Sequence, residues 1–139
     1  MTEVTKVTKV TKVKRMKDKT DKGYHRLIIW KKAYELVIEI YTLTKKLPRA
    51  EEFGLTSQMR RAVTSVVLNI VEGHRRSGNK EFLHFLNIAR GSLAEIEACL
   101  EICSGLNYLD QEEYERIDSK VNELAYLIGS FIASLKRKP

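Results

Sequence analysis

Residues 53–76 read FGLTSQMRRAVTSVVLNIVEGHRR, and the reading of this stretch decides the fold. From Ala62 to Val71 only Thr64, Ser65 and Asn69 are polar. A helix apolar on nearly every side cannot face water over a broad surface. It must be enclosed by its own domain or by neighbouring subunits. Arg61, Ser65, Asn69 and Glu72 are spaced by four, four and three residues, which aligns them as one polar stripe along that helix. Polar groups running through an enclosed helix need partners, because burial without a hydrogen bond is costly.

The same periodicity continues on both sides. Residues 25–47 place Trp30, Ala33, Val37, Ile40, Thr44 and Leu47 at alternating three–four spacing, and Pro48 stops the pattern. Residues 79–105 repeat a heptad through Phe82, Leu86, Ala89, Leu93, Ile96, Leu100 and Cys103, broken by Gly105-Leu106-Asn107. Residues 110–136 open on Asp110 as an N-cap, with Glu113 three residues on, and carry Tyr114, Ile117, Val121, Leu124, Ile128, Phe131 and Leu135. Four amphipathic helices of about 22–27 residues, each roughly 33–40 Å long and joined by short loops, predict an all-α, antiparallel up-down four-helix bundle over 24–139. Strand signals are absent from the sequence.

The first helix carries more apolar surface than one seam needs, since Ile29, Leu36 and Leu43 form a second stripe beside Trp30 and Val37. With the apolar second helix, this points to self-association. The alternative is a monomer whose helices are broad-faced.

Residues 2–13 read TEVTKVTKVTKV, a repeat whose period of three matches neither helix nor strand, and residues 14–22 are almost wholly charged. Residues 1–23 are therefore expected to be a disordered basic tail. The repeat reads as an expansion without a function of its own, or as a polycation that seeks polyanions. Of the formal charge of +7, residues 1–26 supply +6, with nine Lys or Arg against three Asp or Glu. The domain that follows is nearly neutral as a whole. At 139 residues the chain is long enough for one core and too short for two domains of ordinary size.

Cys99 and Cys103 sit four apart on one helix face and give no disulfide framework; free cysteine there packs as a small apolar residue. No signal-peptide core and no run long enough to span a bilayer appears, so a cytoplasmic protein without a membrane partner is expected.

A set of ordered residues carries a resemblance to a known family. Pro48, Glu51, Phe53-Gly54-Leu55-Thr56-Ser57-Gln58 and Arg60-Arg61-Ala62 are followed by Ser65, Asn69-Ile70, Glu72-Gly73 and Arg76. Glu81-Phe82, Ala89, Gly91-Ser92 and Glu95 complete the set. Over residues 24–136 the chain resembles the four-helix-bundle family named after proteins encoded in intervening sequences of 23S ribosomal RNA genes. It is also similar to the accessory variability determinant proteins of diversity-generating retroelements. The chain departs from the family at Val66-Val67-Leu68, where a small residue or proline usually precedes the asparagine. The resemblance implies a homopentameric ring, and a protein partner such as a reverse transcriptase.

Two basic groups are the candidate phosphate contacts: Arg60-Arg61 at the start of the second helix, and Arg75-Arg76 with Lys80 around the turn that follows it. A phosphate backbone is held by several cations presented together, because affinity accumulates from the counterions each contact releases. The turn Gly73-His74-Arg75-Arg76-Ser77-Gly78 also offers backbone N–H groups where the third helix starts. Against this stands a structural reading, in which cations in the last turn complement the helix dipole and Arg61 pairs with Glu72 or Glu95 across subunits.

The stripe of Ser65, Asn69 and Glu72, with Glu95, either lines a groove for nucleic acid or fixes helix register through hydrogen bonds. Its setting among Val63, Val66, Val67 and Ile70 favours the second. Gly91, in mid-helix, predicts a close helix approach. Trp30, Tyr34 and Tyr41 are expected in the core, whereas Tyr24, His25 and Arg26 are better placed to touch a nucleic acid. Metal-ligand spacings, phosphate-cradling loops and nucleophile elbows are missing, so no metal, no cofactor and no catalytic residue is expected. The expectation is a non-enzymatic bundle that binds RNA or an RNA–DNA hybrid through phosphates without reading sequence, or else an adaptor ring for a partner protein.

Overall fold

Each helix starts and stops where its surroundings satisfy or deny the terminal backbone groups. The computed structural model describes residues 22–137, so the tail expected over 1–23 lies outside the described residues except for Lys22 and Gly23. The helices are α1 (Ile28–Thr44), α2 (Leu55–Arg75), α3 (Asn79–Gly105) and α4 (Gln111–Arg137), with 3-10 turns at Tyr24–Arg26 and Arg49–Glu51. No strand occurs among the described residues.

Helix α1 is shorter than its apolar pattern at both ends. Leu27 is extended, at φ −75° and ψ 127°, and separates the first turn from the helix. At the other end the N–H groups of Lys46 and Leu47 bond three residues back, to Leu43 and Thr44, before Pro48 ends the run. Asp110 caps α4 as its sequence predicts, its Oδ1 accepting the Glu113 N–H at 2.8 Å. For α2 the loop supplies the acceptor, since Glu51 Oε1 takes the Leu55 N–H at 3.2 Å.

Helices neighbouring in sequence neighbour in space, and α4 closes back on α1. The contacts run antiparallel at every seam. Thr44 meets Arg60 across α1–α2, Ser65 meets Ser92 across α2–α3, and Phe82 meets Phe131 across α3–α4. Glu39 meets Arg116 and Lys32 meets Glu123 across α4–α1. This is the up-down bundle.

The core takes expected heptad positions at Leu86, Ile96 and Leu100 of α3 and Ile117, Leu124 and Ile128 of α4, and α2 adds Met59, Val66 and Ile70. One expectation is corrected here. The second α1 stripe is not spare surface: Ile29, Leu36 and Leu43 are at most 2 % exposed and belong to the chain's own core, because α1 is wedged between α2 and α4. Helix α2, by contrast, is not fully enclosed by its own chain, since Leu68 is 65 % exposed.

Glycine placement brings a second correction. A Cβ on Gly91 would meet nothing within 4 Å, so no close approach explains this residue within the chain. The close approach is at Gly73, where a Cβ would stand 2.8 Å from Phe82 Cδ1 and 3.0 Å from Phe85 Cβ. Gly78, at φ 89°, then supplies the left-handed residue from which α3 departs.

Cys99 and Cys103 are buried, and Cys103 Sγ lies 3.9 Å from Met59 Sδ. Burial, then the proximity of Cys99 and Glu51, pushes the Cys103 thiol up to about 11. Both behave as small apolar side chains.

Candidate nucleic-acid interface

Helix α2 separates the two basic groups. Arg61 and Arg75 are 14 residues apart on one helix, about 21 Å at 1.5 Å per residue, so they lie near opposite ends of the bundle. They form two surfaces, not one.

At the first end, Arg60 is held by its own chain. Its Nε donates to Thr44 Oγ1 at 2.8 Å, and its guanidinium lies over the Tyr41 ring at 4.5 Å. A cation resting on the last turn of α1 complements that helix's dipole and its uncompensated carbonyls. Arg61 is exposed and, within its own chain, donates to Gln58 Oε1 at 3.1 Å.

The polar stripe becomes a seam between α2 and α3. Asn69 Nδ2 donates to Ser65 O at 2.8 Å and to Ser65 Oγ at 3.0 Å, and Ser92 Oγ donates to Ser65 Oγ at 2.8 Å. One turn along, Gln58 Nε2 donates to Glu95 Oε2 at 2.8 Å. Glu72 leaves the seam and pairs with Arg76 at 2.7 Å. Ser65, Asn69 and Ser92 therefore satisfy one another, and Ser92 has a hydroxyl for a partner where a nucleophile would need a base.

At the other end, the turn from Gly73 to Lys80 presents its cations unequally. Arg76 lies between Glu72 and Glu81, the latter at 4.0 Å, and its guanidinium sits 5.3 Å from the centre of the Phe85 ring. Arg75 and Lys80 are exposed, and neither forms an ion pair among the described residues. The N-cap of α3, Gly78, makes no side-chain cap, so the first N–H groups of α3 are left to solvent or a ligand.

Two aromatic residues beside this turn, His25 and Trp30, are buried. His25 is 5 % exposed and packs between Tyr24 at 4.6 Å and Trp30 at 4.8 Å, which corrects the expectation that it would reach a ligand. Trp30 stacks on Tyr34 at 5.4 Å, as core residues do. His84 of α3, four residues beyond Lys80, is by contrast exposed.

Three features escaped the sequence. Glu39, 7 % exposed, takes Arg116 at 3.0 Å and Lys120 at 3.6 Å at the α1–α4 seam. Its place among Leu36, Ile40 and Leu43 was the available signal. Glu51 joins two loops, since its Oε2 accepts the Tyr108 O–H at 3.0 Å while Oε1 caps α2. That hydrogen bond holds the Tyr108 phenol above its ordinary value. Finally, Leu68 of α2 and Ile88, Gly91, Ala98 and Ile102 of α3 share the outer side of the α2–α3 pair, all exposed. Among the described residues no three His, Cys, Asp or Glu gather as a metal would require, and no helix is long and apolar enough to cross a membrane.

Comparison with known proteins agrees with this architecture. Residues 25–130 match the family model described as 23S rRNA-intervening sequence protein. A crystal structure of a protein of unknown function, from the S23 ribosomal protein family of Bacteroides thetaiotaomicron, superposes with a TM-score of 0.71 at 31 % identity. The match covers 76 % of this chain and 98 % of that one. No curated protein matches.

Proposed function

The chain belongs to the 23S rRNA-intervening sequence protein family, and from that premise we propose that it is a non-enzymatic, cytoplasmic nucleic-acid-binding bundle. Its ligand is RNA or an RNA–DNA hybrid, held by phosphates and not read by sequence. The observation that carries this reading is the pair Arg75 and Lys80, exposed and, among the described residues, without carboxylate partners beside the start of α3, whose N-cap makes no side-chain hydrogen bond. Arg76 contributes through a charge that Glu72 and Glu81 partly offset. Arg61 is a lesser contact and Arg60 a structural one. The burial of His25 and Trp30 supports backbone recognition, because base readout in single strands relies on stacking.

The test is binding of fluorescent single-stranded RNA, an RNA–DNA hybrid and duplex DNA by the full chain and by Arg75→Ala/Lys80→Ala, across a salt series. Weaker binding and a shallower salt slope in the variant support the reading; identical curves remove the turn from the site.

A second reading makes the chain a homo-oligomeric adaptor that docks a partner protein. The exposed face of Leu68, Ile88 and Ile102, with Gly91 and Ala98 between, favours it. A pentameric ring is the assembly that the resemblance implies. The solution mass of Leu68→Asp/Ile88→Asp against that of the native chain tests it, and equal masses argue against this face.

A further inference from the structure

The near-neutral charge of the folded domain hides a segregation along the bundle axis. At the end carrying the basic turn, three segments converge. Gly23 and Tyr24 lie against His74, where a Cβ on Gly23 would meet the ring at 2.9 Å and the Tyr24 and His74 rings are 6.4 Å apart. Asn79 Nδ2 donates to Leu135 O at 3.3 Å, which fastens the last turn of α4 beside the first turn of α3. Lys22 and Arg26 therefore stand at this end with Arg75, Arg76 and Lys80, and so do Lys136 and Arg137. Segments 22–26, 72–82 and 130–137 together hold seven Lys or Arg against two Glu, net +5.

The opposite end inverts the sign. Tyr108 bonds Glu51 there and Lys46 pairs with Glu113, joining segments 44–56 and 100–113. These hold three Lys or Arg against six Asp or Glu, net −3. A polyanion approaching the domain is thus drawn to one end and repelled from the other.

From this convergence we propose that the nucleic-acid site is the whole basic end face of the bundle, with Lys136 and Arg137 of α4 as contacts equal in weight to Arg75 and Lys80. The proposal rests on the nucleic-acid reading above and extends it across the molecule to residues some 60 positions away in sequence. Lys136 and Arg137 are exposed and form no ion pair among the described residues, so their charges are available to a ligand. Cations closing a helix C-terminus also complement its dipole, but Asn79 already takes one of the last carbonyls. The chemistry recognised is the phosphodiester backbone.

The experiment uses the full chain in three variants, each missing two cations: Lys136→Ala/Arg137→Ala, Arg75→Ala/Lys80→Ala, and, at the far end, Lys45→Ala/Arg49→Ala. All six side chains are exposed, and helicity checks that each variant folds. Probes are single-stranded RNA and single-stranded DNA of one sequence, which separate the two sources of the phosphodiester chemistry. The first two variants should each lose about tenfold in affinity near 0.1 M salt and about 1.4 in salt slope, and the third neither. Loss in the turn variant alone overturns the end-face proposal while leaving the turn as the site. Equal loss in all three also overturns it, in favour of diffuse attraction. No binding by the native chain overturns both readings.

Discussion

Arg60 Nε donates to Thr44 Oγ1 at 2.8 Å, while Thr44 Oγ1 itself donates to Ile40 O at 2.8 Å. One guanidinium thus ties the start of α2 to the end of α1 through a hydroxyl that is 3 % exposed at the residue level. Two adjacent arginines with the same sequence signature have different work: Arg60 secures a helix junction and Arg61 faces solvent.

Replacing Arg60 should therefore cost stability and spare binding. Arg60→Ala is expected to lose about 1.5–3 kcal/mol, the range for a hydrogen bond to a charged donor. Arg60→Lys should recover little, because an ammonium lacks the planar fork that both stacks and donates. Urea unfolding and RNA titration of the same variants check the two halves of this expectation.

Glu39 sets up a graded series. It is buried and meets two cations, so Glu39→Ala should cost about 2–4 kcal/mol. Arg116→Ala leaves Lys120 in place and should cost under half as much, since both cations are nearly half exposed. Similar losses for the two variants in denaturant melts would contradict the shared-carboxylate arrangement.

The two contrasting glycines give opposite signs. Gly73→Ala forces a methyl against Phe82 and Phe85 and should destabilise by about 1–3 kcal/mol. Gly91→Ala has open space and should stabilise an isolated chain by roughly 1 kcal/mol through helix propensity. If the α2–α3 face is covered by another copy, Gly91→Ala lowers the solution mass instead. Thermal melts paired with mass measurements read both effects.

For Cys103 the linkage runs against alkali. The folded thiol is raised from 9.0 to about 11, so the unfolded chain gives up its proton first. The stability this thiol contributes is complete below pH 9 and is lost as pH rises towards 11. The native protein should react with a thiol reagent at pH 8 only as fast as it opens, and denaturant should release both Cys99 and Cys103. Prompt reaction of the folded chain would contradict their burial.

Most of the fold was legible because heptad spacing is a property of one helix at a time. Leu86, Ile96, Ile117 and Ile128 needed no knowledge of their partners to be assigned to a core. What was not legible depends on two helices together. Gly73 and Gly91 are alike in a sequence, and only the distance to Phe82 separates them. Ile29 and Leu36 looked surplus because the closure of α4 on α1 is not written in α1 alone. At the candidate site, Arg75 and Lys80 could be named from the turn, but the partial offset of Arg76 by Glu72 and Glu81 and the convergence of the α4 C-terminus on this end require the folded chain. The bond from Arg60 to Thr44 was hidden for the same reason, its acceptor lying in another helix.

The central claim is that the turn binds phosphate, and the most direct measurement is the salt dependence of single-stranded RNA binding by the native chain and by Arg75→Ala/Lys80→Ala. The expected result is a slope of log affinity against log salt that is shallower by about 1.4, with affinity reduced and helicity unchanged. An unaltered slope in a folded variant would contradict the claim and leave the outer α2–α3 face as the functional surface.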